Sequence, residues 1–95
     1  MSQNPMTAIQ DPDARLDYEW DWGPWLDVGE TITTHEISIL PPEEMATDGV
    51  TATPETVTAW LKGGVRGRTY NVTCHILTSD TREDDRSWNI TIKDR

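Results

Sequence analysis

The stretch LDYEWDWGPWL, Leu16 to Leu26, decides how this chain folds. Leu16, Tyr18, Trp20 and Trp22 occupy every second position, with Asp17, Glu19 and Asp21 between them. A period of two marks a strand, here with one apolar and one acidic face. Tyr18, Trp20, Trp22 and Trp25 are four of the seven aromatic residues, and the chain has no Phe. Each aromatic buries roughly 150–250 Å², so this strand is the wall on which a thin core is built. Gly23-Pro24 stops it, because Pro24 has no amide to give to a ladder. Trp25 and Leu26 then fall in a turn or a single helical turn that ends near Gly29.

Outward from that stretch the alternation repeats. Upstream, residues 1–13 are polar, with Pro5 and Pro12, and read as an arm or edge strand in which Met6 to Ile9 is the segment suited to a sheet edge. Residues 14–95 form the domain, opening with a strand from Ala14 to Trp22. Downstream, Thr31 to Leu40 is rich in β-branched residues and puts His35, Ile37 and Ile39 on one face. Pro41-Pro42 ends it. Asp48-Gly49 is a turn pair before a short strand from Val50 to Thr53. Thr56 to Leu61 alternates Val57, Ala59 and Leu61 against Thr58, Trp60 and Lys62.

Gly63-Gly64 and Gly67 turn the chain into Thr69 to Leu77, where Tyr70, Val72, Cys74 and Ile76 share a face. A polar turn, Ser79 to Asp85, leads to Trp88, Ile90 and Ile92. Six or seven short strands with no long helix predict an all-β, antiparallel β-sandwich of immunoglobulin or fibronectin type III kind. Its core would be Leu16, Tyr18, Trp20, Trp22, Ile37, Ile39, Val57, Ala59, Leu61, Tyr70, Val72, Cys74, Ile76, Trp88, Ile90 and Ile92.

Composition narrows the functions available. At 95 residues the chain is one domain, and one Cys excludes an internal disulfide. Seventeen acidic against eight basic side chains give a net charge of −9. Such a surface repels phosphate backbones, so no nucleic acid and no anionic membrane is expected as partner, whereas a basic protein suits it. No apolar run reaches the length of a membrane span, and the start, MSQNPMTAIQ, lacks the basic and apolar blocks of a signal peptide.

Catalytic and metal-binding chemistry finds little support. Cys74 and His75 are adjacent on a strand, so they point to opposite faces and do not share an ion. Cys74 reads as a small buried residue. The acidic groups at Asp11 and Asp13 and at Asp80, Glu83, Asp84 and Asp85 lack the spacing of a calcium loop and read as solvated turns. Asn71-Val72-Thr73 and Asn89-Ile90-Thr91 match the glycosylation pattern but lie mid-strand. Gly63 to Gly67 lacks the Lys-Ser/Thr pair of a phosphate loop, and its glycines serve to admit positive φ. Tyr70 fits a structural tyrosine corner. No enzyme, cofactor or metal site is therefore expected. Trp60 faces away from the core, either as an interface anchor or beneath a loop or the N-terminal arm.

Three blocks taken in order carry a family pattern. Asp17-Tyr18, Asp21-Trp22, Trp25-Leu26 and Thr31-Ile32-Thr33 make the first. Trp60-Leu61, Gly63-Gly64, Gly67 and Tyr70 make the second, and Arg82 with Asp85-Arg86 closes the chain. Across about residues 11–95 the chain resembles the small Ig-like fibre–tail adaptor proteins of tailed bacteriophages. It departs from the pattern at Asp80-Thr81, where such hairpins favour Gly, and at Ile37, where an aromatic is common. The resemblance implies a non-enzymatic virion protein, made in the host cytoplasm and bridging tail or neck to a fibre or receptor-binding component. It would be present in several symmetry-related copies, bound to other virion proteins through sheet edges, Trp60 and the arm. Met6, Ile9, Trp25 and Trp60 are the candidate interface residues. A capsid decoration protein and a carbohydrate- or cell-surface-binding module are the alternatives.

Overall fold

The alternation is realised strand by strand in the computed structural model, which describes residues 6–42 and 44–93. Seven strands follow one another: β1 (Met6–Gln10), β2 (Arg15–Asp21), β3 (Ile32–Leu40), β4 (Met45–Ala52), β5 (Thr56–Gly63), β6 (Thr69–Thr78) and β7 (Glu83–Ile92). They form two sheets, in the orders β1-β7-β6-β3 and β2-β5-β4. Every pairing is antiparallel except β1 with β7, which is parallel from Met6 opposite Trp88 to Gln10 opposite Ile92. β4 stays with β5, the arrangement of immunoglobulin domains. The protein is an all-β sandwich.

Between the sheets lie Trp20, Trp22, Val57, Ala59, Leu61, Tyr70, Val72, Cys74, Ile76, Ile90 and Ile92, all without solvent exposure. Tyr18 and Met45 complete the core. Tyr18 meets Trp88 edge to face, with ring centroids 5.2 Å apart. Gln10 crosses between the sheets from β1. Its Nε2 donates to the carbonyls of Ala14 (3.1 Å) and Leu61 (3.0 Å), and its Oε1 accepts from the Tyr18 hydroxyl at 2.7 Å. Three bonds satisfy a carboxamide that is fully buried, which burial of a polar group requires.

Several details differ from the sequence-based expectation. Leu16 has the parity of the core yet is 38% exposed, because it opens β2 at the margin of its sheet. Ile37 and Ile39 are only partly buried, since β3 is also an edge strand. Trp88 likewise packs against the core without being enclosed. Asp48-Gly49 is not a turn: it is a bulge within β4, where the pairing to β5 shifts between Thr47 and Val50. Gly49 there has a φ of 117°, which a bulge accommodates most readily as glycine. The turn after β6 is shorter than expected, and Glu83 to Asp85 already belong to β7.

Two connections show why their residues are what they are. Gly64, at φ 98°, faces Ile92, and a Cβ there would lie 2.7 Å from Ile92 Cγ1. The next residue donates its amide to the Tyr70 hydroxyl at 2.8 Å, closing the tyrosine corner, and that hydroxyl donates in turn to Glu44 Oε1 at 2.8 Å. In the β6–β7 turn, Thr81 takes up the left-handed conformation at φ 62°. This is the place where the sequence departs from glycine, and a threonine there costs about 1–2 kcal/mol of backbone strain.

Two indoles of the core are satisfied differently. Trp22 Nε1 donates to Asp84 Oδ2 at 2.9 Å, whereas the buried Trp20 Nε1 has no partner. Substitution by Phe removes the same ring volume from each. In Trp20→Phe the loss is offset by removal of an unmet donor, while Trp22→Phe breaks a bond to a carboxylate. Trp22→Phe is expected to lower the unfolding free energy by about 1–2 kcal/mol more than Trp20→Phe, as read by urea denaturation.

Candidate interaction surfaces

Trp60 lies on the outer face of the β2-β5-β4 sheet, directly across from Asp17. It is partly exposed. The Arg15 guanidinium stands 5.5 Å from its ring centroid. Arg15 is itself anchored by Asp48, with Nε 2.6 Å from Oδ2 and Nη2 2.8 Å from the Asp48 carbonyl oxygen. Arg15 and the nearby Lys62 hold the Asp48 carboxyl below its usual pKa. Beside this cation-covered indole run Asp17, Glu19 and Asp21, all exposed on the same face. The face therefore offers one aromatic under an anchored cationic cover, beside an acidic stripe.

Trp25 sits at one end of the sandwich. The chain leaving β2 makes a helical turn, in which the amides of Trp25 and Leu26 both donate to the Trp22 carbonyl (2.8 and 3.0 Å). This presents the Trp25 ring to Arg82, whose guanidinium lies 4.0 Å from the ring centroid. Arg82 also clamps Glu30, with Nη2 2.5 Å from Oε1 and Nε 2.9 Å from Oε2. The Glu30 side chain has no solvent exposure. It accepts further bonds from the Thr78 hydroxyl (2.5 Å) and the Asp27 amide (2.9 Å). The hydrogen bond from Arg82, with those from Thr78 and Asp27, brings the Glu30 pKa down to about 2 against the opposing effect of burial. Trp25 thus belongs to a fixed end cap and packs on the core.

Met6 and Ile9 lie on β1. Met6 packs against the core, and Ile9 is 41% exposed. Ile9, Thr7, Ala8 and Thr91 line an open cleft of about 500 Å³. The four candidate residues do not converge. They mark an edge of one sheet, one end of the sandwich and the outer face of the other sheet. Residues 1–5 of the N-terminal segment lie outside the described residues.

The outer face of the other sheet is a row of cross-strand polar pairs. Thr69 bonds Thr91 (2.9 Å), Asn71 bonds Asn89 (2.9 Å), and Thr73 bonds Ser87 (2.7 Å). The two glycosylation-like asparagines are therefore each other's partners. Farther along the row, His75 contacts Asp85 through Nδ1 and Glu83 through Nε2 (2.8 Å). These two carboxylates raise the His75 pKa. Cys74 faces the opposite way into the core, where burial pushes its thiol up to about 12, an inert group. Among the described residues the one cluster of metal-ligand type is Asp27, Glu30 and Asp80. Its central carboxylate is already occupied by the Arg82 cation, so the arrangement is an ion pair.

Sequence reasoning singled out neither Glu30 nor Gln10. A glutamate between Gly29 and a β-branched strand carries no local pattern, and its pairing with Arg82 spans 52 residues. The polar run around Asp84 points to a solvated turn, but its carboxylate bonds Trp22 and also Arg86, whose Nε lies 3.2 Å from Oδ2.

Fold and surfaces together describe a small immunoglobulin-type module with polar and aromatic faces. A protein-family model described as "Podophage GP4 fiber-tail adaptor protein gp77" matches residues 10–91. The chain belongs to that family. No curated protein matches it.

The end cap sets an acid limit on stability. Glu30 has a folded pKa below its ordinary value of 4.5, so its contribution is complete above about pH 4.5 and is lost as the pH falls toward 2. Thermal unfolding followed from pH 6 to pH 2 is expected to show a stability loss in that window. Glu30→Gln should be less stable at pH 6 and show a shallower decline, because no carboxylate remains to be protonated at that position.

Proposed function

We propose that the chain is a non-enzymatic structural component of a phage virion that joins the tail or neck to a fibre or receptor-binding component. Membership of the fibre–tail adaptor family carries this reading. The geometry supports it. Glu30 with Arg82, Asp84 with Trp22 and His75 with Glu83 are structural pairs, and the sheet faces and edges offer surface suited to protein contacts. The protein acts in several copies, each meeting other virion proteins through the Trp60 face and the β1 edge at Ile9. The host cytoplasm is the site of synthesis in this reading.

Trp60 is the anchor on its face. Truncation leaves β5 packed, since Val57, Ala59 and Leu61 on the inner side are untouched. Trp60→Ala is expected to keep the wild-type melting behaviour while weakening binding to particles assembled without this protein by at least about tenfold. The test adds purified chain to such particles and measures the bound fraction and the restored fibre content. Binding that restores no fibres would refute the bridging role. Occupancy that follows the number of capsid subunits would make the chain a decoration protein instead.

A further inference from the structure

A two-layer sandwich has four strand edges, and three of them are obstructed here. Along β2, the Glu19 carbonyl accepts from Trp88 Nε1 (3.3 Å) and the Asp21 carbonyl from Arg86 Nη1 (3.0 Å), so side chains of the facing sheet cap that edge. β4 is interrupted by its bulge, where Arg15 takes the Asp48 carbonyl. Among the described residues β1 spans five. Capping, bulging and brevity are the devices by which sheet edges are kept from pairing.

β3 is capped and bulged only at its start, where the Ile32 amide donates to the Pro54 carbonyl at 2.8 Å, and is clear of these devices from Thr34 onward. It runs for nine residues without Pro, Lys or Arg, and its one irregularity lies at the start, between Ile32 and Thr34. Among the described residues no hydrogen bond from outside its own sheet reaches the backbone of residues 33–40. Antiparallel pairing with β6 satisfies the peptide groups that face β6, and the alternate ones face outward. This is the geometry that accepts an added strand.

The flanking side chains define what kind of strand fits. Ile37 and Ile39, opposite Cys74 and Val72, reach the core but stay partly exposed at the sheet margin. On the outer side, Glu36 stands opposite His75, which Asp85 and Glu83 flank. We infer that the β3 edge receives an extended segment of another virion protein, with apolar residues that continue the core past Ile37 and Ile39 alternating with Lys or Arg facing Glu36. A second copy of this chain is the poorer occupant. Pairing β3 on β3 would bring this acidic face against its like in a protein of net charge −9.

The inference rests on the adaptor reading, and hydrogen–deuterium exchange of the full chain separates the two. The exchange is followed by mass spectrometry on the chain alone and on the chain bound to particles assembled without it. The outward amides of residues 33–40 exchange quickly in the free chain and are expected to slow by about 100-fold on binding. Glu36→Lys should weaken binding about tenfold with an unchanged melting curve, and Asp13→Lys, in the exposed turn between β1 and β2, should not. A chain that binds while residues 33–40 keep their free rate overturns the inference and leaves the adaptor reading intact. Failure to bind at all overturns both. Protection that appears on concentrating the chain alone assigns the edge to a second copy and also overturns it.

Discussion

β2 has to be a wall and an edge at once. It carries the largest side chains of the core, yet it lies at the margin of its sheet, with one row of peptide groups unpaired. A strand of that kind is held only if something on the far side covers it. Here β7 does so: Asp84 takes the Trp22 indole, Arg86 stacks on that ring at 5.1 Å and caps Asp21, and Trp88 caps Glu19 while packing on Tyr18. From β1, Gln10 completes the closure through Tyr18. The sandwich is shut along one side by side chains rather than by a ladder, so the identity of a few residues matters more there than in the centre of either sheet.

The same logic governs the end of the molecule. A carboxylate without solvent exposure is costly unless its oxygens are engaged, and Glu30 meets that condition with Arg82, Thr78 and the Asp27 amide. Arg82 then holds Trp25 in place. Many of the residues by which the chain resembles the adaptor proteins prove to be these structural pairs. Trp22 with Arg86, Trp25 with Arg82, and Tyr70 with the Val65 amide hold the fold together. Trp60 is different: it supports nothing inside and faces outward beside Arg15.

How much of this was legible follows from the range of each interaction. Period-two patterns are local, so β2, β3, β5 and β6, the inner faces of β5 and β6 and the stop at Gly23-Pro24 could be read directly, whereas β4, expected only from Val50, begins at Met45. The tyrosine corner had a recognisable spacing from Gly67 to Tyr70. Leu16 was misplaced because alternation gives the face of a strand but not its position in a sheet. Asp48-Gly49 looked like a turn because bulges and turns use the same residue pair for the same left-handed backbone. Glu30, Gln10 and Asp84 bond across the sandwich to residues that no sequence window contains. Alternation gave the outward direction of Trp60, but the separation of Met6, Ile9, Trp25 and Trp60 onto different faces was not legible, since it depends on which strands share a sheet.

The parallel pairing of β1 with β7 bears on what the molecule withstands. The two strands run the same way from Met6 beside Trp88 to Gln10 beside Ile92, and the amide of Lys93 extends the join to the Gln10 carbonyl at 3.0 Å. Traction on the chain ahead of Met6, opposed by traction beyond Ile92, acts along the strand axes in opposite senses. The ladder between them is then sheared, with its bonds strained together, whereas an antiparallel hairpin pulled from its open end parts one rung at a time. A body built in this way resists stretching along its length and yields more easily to a sideways peel.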